Sequence, residues 1–222
     1  MRRFTFWTLV LLSSCSTKKE VTQENKESSD TITTIQEGLP QAETKINEII
    51  RIDFSLDSLL KFDSETELKN VFGDKIKRST GYYPEGMGEY QNTLLFPGTK
   101  NEVEFVWLDD SITFSGLAYI NLSGQGTDWK TREGITLGTK LKELEKLNQK
   151  PFTFYGFGWD YSGMTNWDEG HLYDRKVFVN LGYPSETIPP EYEGLFGDQE
   201  MRSDSELAQK ANPVVCVITM RR

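Results

Sequence analysis

Apolar residues recur with a period of two in four stretches of this chain: Val103, Phe105 and Trp107; Ile112, Phe114, Ala118 and Ile120; Val177, Val179, Leu181 and Tyr183; and the run from Val214 to Met220. Successive side chains of a strand point to opposite faces, so each stretch predicts a strand with one apolar side. Three other stretches carry helical spacing. Ser64-Glu65-Thr66-Glu67 is a capping box ahead of Leu68, Val71 and Phe72, and predicts a helix over 65–72 that stops at Gly73. Thr139 can cap a second helix carrying Leu141, Leu144 and Leu147, which Pro151 ends. A third begins at the box Ser203-Asp204-Ser205-Glu206 and runs through Leu207 and Ala211 to Asn212-Pro213. Long strands with few short helices predict an α+β fold, an antiparallel sheet with the helices packed on one face.

The first two helices echo each other. Glu67-Leu68-Lys69-Asn70-Val71-Phe72 aligns with Glu143-Leu144-Glu145-Lys146-Leu147-Asn148, and each leads through a strand-like segment to a Gly/aromatic patch, Gly81-Tyr82-Tyr83-Pro84 or Gly158-Trp159-Asp160-Tyr161. The echo suggests a tandem of two similar halves, 56–122 and 132–220, with an insertion before Lys176 in the second. Chance likeness of amphipathic helices is the competing explanation.

The densest aromatic segment is Phe152 to Tyr161. Taken as one strand, it places Tyr155, Phe157, Trp159 and Tyr161 on one face, a ring stripe suited to the core, and Phe152, Phe154, Gly156, Gly158 and Asp160 on the other. Glycines inside a strand mark a bulge or a close approach by a ligand or another chain. Behind the strand, Trp167 stands among Asn166, Asp168 and Glu169, a polar setting that suggests an interaction anchor, and Trp129 beside Asp128 and Lys130 is a second. The candidate contact patch is therefore Trp159, Asp160, Tyr161, Asn166, Trp167, Glu169 and His171.

The N-terminus decides location. Met1-Arg2-Arg3 is a positive start, Phe4 to Leu12 an apolar run too short to cross a bilayer, and Leu12-Ser13-Ser14 leads into Cys15. This leader resembles the lipobox of bacterial lipoproteins. The resemblance implies that residues 1–14 are a signal peptide cut before Cys15, that Cys15 carries a diacylglyceryl group and an acylated amino terminus, and that the protein is held by lipid without spanning the membrane. Ser16 follows the cysteine in place of the aspartate that retains some lipoproteins at an inner membrane, so outer-membrane residence is favoured. From Ser16 to about Lys45 there is no aromatic residue and an abundance of Ser, Thr, Gln, Glu and Lys, a composition that cannot offset ordering entropy. Residues 15–47 read as anchor and disordered tether, with a reach on the order of 30 Å, and 48–222 as the globular domain.

Charge and cysteines narrow the partners. Loss of Arg2 and Arg3 with the leader takes the formal charge from −9 to −11, which argues against nucleic acid and against electrostatic docking on anionic lipid. With Cys15 consumed, Cys216 has no disulfide mate and reads as a small buried hydrophobe on a strand.

The segment Gly134-Ile135-Thr136-Leu137-Gly138-Thr139, followed by a Leu-spaced helix and Lys150-Pro151, resembles the helix-start segment of small outer-membrane lipoproteins and β-lactamase-inhibitor-like domains. It departs from them in having Asn148-Gln149 where a glycine usually follows the helix. The resemblance implies short helices on an antiparallel sheet and action by binding other proteins. Signatures of chemistry are sparse. His171 is the chain's one histidine, which excludes a multi-histidine zinc site; Gly134 to Lys140 has GxxxGTK spacing, short of a phosphate loop; no GxSxG elbow occurs, and no cofactor is expected. Two alternatives keep the aromatic segment in play. Asp160, Asp168, Glu169, His171 and Asp174 have the donor types for a divalent cation. A pair such as Asp160 and Glu169 would suit a glycosidase if about 5 to 10 Å apart, and aromatic rings beside them would suit sugar binding. The reading favours a binding or assembly module for a protein or envelope component, with a glycan-binding or glycan-hydrolysing protein as the alternative.

Overall fold

The computed structural model describes residues 53–222 except 84–86, 125 and 186–187. The expectations for the signal peptide, Cys15 and the tether lie outside these residues. The fold is α+β. A six-stranded antiparallel sheet has the order β1-β2-β3-β4-β9-β7, formed by β1 (Ile76–Tyr82), β2 (Glu89–Leu95), β3 (Val103–Asp109), β4 (Ser115–Ser123), β7 (Val177–Gly182) and β9 (Val214–Met220). A three-stranded sheet has the order β6-β5-β8, from β5 (Thr153–Tyr155), β6 (Thr165–Asn166) and β8 (Glu200–Arg202). Four short helices complete it: α1 (Leu56–Leu59), α2 (Glu65–Phe72), α3 (Leu141–Asn148) and α4 (Glu206–Ala211).

Alternation separates the two faces of the large sheet. Phe105, Ile120, Met220 and Val177 lie in one cross-strand row and are buried, together with Leu68 of α2 and Leu141 and Leu144 of α3. One residue out of phase, Leu94, Glu104, Asn121, Thr219 and Phe178 form a row on the opposite face. β1 to β4 run as a meander up to the β4–β9 pairing from one side, and β9 and β7 complete the sheet on the other. β7 is tied to the segment leading into β6 by the Leu181 N–H donating to the Gly163 carbonyl at 2.8 Å and by the Met164–Asn180 bridge.

Helix α2 begins and ends where its sequence predicts: Ser64 accepts from the Glu67 N–H at 3.2 Å, and Gly73 caps the end at φ 61°. Two other caps differ. Helix α3 is entered from Lys140, whose N–H donates to Glu143, because the Thr139 hydroxyl accepts from the Thr136 N–H in the preceding turn. Gln149 takes the left-handed position, at φ 58°, that glycine fills in the resembling families. Helix α4 is capped by Ser205, since Ser203 is buried and accepts from the Phe152 N–H while donating to Glu145.

The strand expected over Ile112 starts later, at Ser115. Asp109 accepts from the N–H groups of Ser111, Ile112 and Thr113 and from the Thr113 hydroxyl, folding that stretch into a turn and leaving Ile112 exposed. These donors, the Thr113 hydroxyl first, hold its carboxyl well below the usual carboxylate range.

The single strand expected over Phe152 to Tyr161 also ends early, at Tyr155. A Cβ at Gly156 would stand 2.5 Å from the Gly197 carbonyl oxygen and 3.0 Å from that of Leu195. The close approach that this glycine signals is therefore one made by the chain's own backbone.

Candidate functional site

Trp167 is a core residue, which corrects its assignment as a surface anchor. It is 3% exposed, its indole N–H donates to the Val177 carbonyl at 2.7 Å, and its ring meets Phe152 edge to face at 5.2 Å. The polar residues around it mislead because β6 alternates, with Thr165 buried, Asn166 exposed and Trp167 buried. Trp129 is 0% exposed and donates to the Asn101 carbonyl at 2.9 Å, so it too belongs to the core.

The ring stripe is corrected in the opposite sense. Phe152, Phe154 and Phe157 are buried, whereas Tyr155, Trp159 and Tyr161 form a surface trio with centroids 5.3 to 6.0 Å apart. Tyr161 is 54% exposed, and Trp159 is half-buried with its N–H on the Gly156 carbonyl. Asp160 is exposed beside them in the turn that follows.

The remaining predicted residues sit in the turn after β6. Asn166 accepts from the Asp168 N–H, while Asp168 and Glu169 take left-handed backbone at φ 50° and 60°. Asn166, Asp168, Glu169 and Tyr173 line a shallow groove. His171 is exposed, with Nε2 3.5 Å from the Arg175 guanidinium. Among the described residues, no three of His, Cys, Asp and Glu stand together to hold a metal ion, which corrects the cation alternative for Asp160, Asp168, Glu169, His171 and Asp174.

This turn is fastened from beneath by Asn148, which is fully buried at the end of α3. Its Nδ2 donates to the carbonyls of Lys150 (2.9 Å) and Trp167 (3.0 Å), its Oδ1 accepts from the Leu172 N–H (3.1 Å), and its own carbonyl accepts from the His171 N–H (2.8 Å).

A second site, absent from the sequence-based patch, lies on the face of the large sheet opposite the core. Glu104 is half-buried at its centre. One carboxylate oxygen accepts from the Tyr90 hydroxyl at 3.0 Å and from the Asn92 amide; the other accepts from the Asn121 amide at 3.3 Å, and Asn121 in turn accepts from the Thr219 hydroxyl. Burial, and then the charge of Glu104, raise the hydroxyl pKa of both Tyr90 and Tyr119. These two hydroxyls are themselves hydrogen-bonded.

Tyr83 packs on Tyr90 at 4.9 Å, and a Cβ at Gly81 would stand only 2.2 Å from the Tyr90 ring, so glycine is what lets that ring lie where it does. At the far side the Arg221 guanidinium lies 5.9 Å from the Tyr119 ring centroid and 5.3 Å from that of Phe178. Among the described residues, no lysine or arginine pairs with Glu104. Asn92 is 4% exposed and, among the described residues, its buried Oδ1 has no donor, at a cost of about 1–3 kcal/mol.

The signal for this site was present in the sequence. The alternation that buries Phe105 turns Glu104 to the opposite face, and asparagine at 92 and 121 is unfavourable in strands unless its amide is used. A charged residue facing away from the core otherwise reads as solvated surface.

No family model matches the chain, and no curated protein matches it. Among solved structures it is similar to the uncharacterized protein yfeY from Escherichia coli, at 13% identity and a TM-score of 0.38, over 72% of this chain and 88% of that one.

Proposed function

We propose that this chain is an exported lipoprotein of the cell envelope, anchored through Cys15 with the outer membrane favoured, whose folded domain binds a protein or envelope component without chemistry of its own. The observation that carries this reading is the Glu104 network: a half-buried carboxylate supplied with neutral donors from Tyr90, Asn92 and Asn121 on a rigid sheet face. Such an arrangement orients a fixed charge toward a partner. The tether is long enough to let that face meet partners away from the lipid headgroups.

A glycan-binding reading is favoured by a different observation, the exposed trio of Tyr155, Trp159 and Tyr161, whose rings suit the apolar face of a sugar while Asp160 takes hydroxyls. A hydrolase within that reading would use Asp160 and Glu169.

Amide chemical-shift mapping against protein extracts, peptidoglycan fragments and neutral oligosaccharides separates the two. Shifts centred on 90–92, 104 and 119–121 support the sheet face, shifts centred on 155–161 support the glycan reading, and a spectrum unmoved by every component overturns both. The anchor has its own test. Cys15→Ser is expected to reduce incorporation of labelled palmitate to background, and undiminished labelling would overturn the lipid assignment.

A further inference from the structure

The chain pairs Glu65 with Arg78, Asp128 with Lys100 and Asp63 with Arg222, all within 2.7 Å, yet among the described residues Glu104 has neutral donors only. A carboxylate partly withdrawn from water and lacking a counter-charge attracts a cation more strongly than an exposed one does. Its surroundings are aromatic: Tyr83, Tyr90 and Tyr119 on one side and Phe178 beyond, and ring faces also favour cations. This face already uses that preference, since Arg221 lies over Tyr119 and Phe178.

A primary ammonium carries three N–H donors and a full positive charge, so it supplies the counter-charge that Glu104 lacks. Neutral sugar hydroxyls would bring donors without the charge.

We propose that this sheet face binds the ammonium group of a lysine side chain on a protein partner, with Glu104 as its counter-charge. The proposal rests on the binding reading above and names the chemistry that the Glu104 face selects. A protein is the source because Tyr83, which packs on Tyr90, and Met87 stand exposed at the β1–β2 end of the face. Two large apolar side chains there exceed what a free amine would cover and suit the flank of a polypeptide.

The test uses the lipidated full chain in detergent micelles, titrated calorimetrically with three probes: a short peptide of alternating lysine and leucine, the same peptide Nε-acetylated, and a neutral chitooligosaccharide. The lysine peptide is expected to bind at least about tenfold more tightly than its acetylated form. Glu104→Gln is expected to remove that preference, while Asp198→Asn, a neutralised exposed acid elsewhere, leaves it intact. Equal binding of the two peptides overturns the proposal, and this arm uses the unaltered protein, so it stands even where Glu104→Gln fails to fold. An equal loss in Asp198→Asn also overturns it, by revealing unspecific attraction to an acidic chain. Binding of the oligosaccharide alone overturns it while keeping the broader binding reading, and silence in all three arms removes both.

Discussion

Asn148→Leu is expected to lose about 3 kcal/mol or more of folding stability, although it exchanges one buried side chain for another of similar size. Leucine fills the space and satisfies nothing. The carbonyls of Lys150 and Trp167 lose their donor and the Leu172 N–H loses its acceptor, in a place where solvent cannot replace them. The bonds to Trp167 and Leu172 join the end of α3 to the turn holding Asp168 and Glu169, so the loss spreads to a whole corner of the fold. Asn148→Asp is expected to be at least as damaging at neutral pH, since it keeps the acceptor for Leu172 but sets a buried charge against both carbonyls. Urea unfolding at an unchanged slope is the measurement. A midpoint within about 1 kcal/mol of the parent would show that the corner is held by packing instead.

Gly163→Ala is expected to be comparably damaging for a reason of shape. A Cβ there would stand 1.8 Å from the Leu181 carbonyl oxygen and 2.7 Å from the Leu181 nitrogen. Both are backbone atoms of β7, so no side chain can move aside. The substitution must break the 2.8 Å bond between the Leu181 N–H and the Gly163 carbonyl, which joins the small sheet to the large one. Gly98→Ala is the fitting control, because Gly98 also has positive φ, at 73°, and nothing within 4 Å of its Cβ. It should cost only about 1–2 kcal/mol, the left-handed strain by itself. If the two variants unfold at the same denaturant concentration, the close approach at Gly163 is without consequence.

The parts of the fold that were legible in the sequence are those governed by short-range periodicity. The β3, β7 and β9 patterns declare themselves because burial on one side imposes a period of two, and α2 does so because its cap and its glycine directly flank its eight residues. Failures occur where a residue's neighbours in space are far away in the chain. Phe157 and Trp159 have the same apolar appearance, and only the return of the chain at Leu195 to Gly197 buries the first and leaves the second at the surface. Trp167 was misplaced for the same reason, since its hydrogen-bond acceptor and its ring partner lie ten or more residues away. The Glu104 site gathers side chains from β2, β3, β4 and β9, and the register that assembles them is not written in any one of those strands.

The β4–β9 pairing carries a kinetic consequence. Asn121 and Thr219, bonded across it, are 98 positions apart, while β1 to β4 are joined by short connections and can form early. Until β9 arrives, β4 presents an unpaired edge backed by Ile120 and Leu122, a template on which the same edge of another molecule can add. A chain delivered unfolded across a membrane would cross the next compartment with that edge uncovered. Its yield should therefore depend on how crowded that compartment is and on how well an escort shields the edge while the closing strand finds its place.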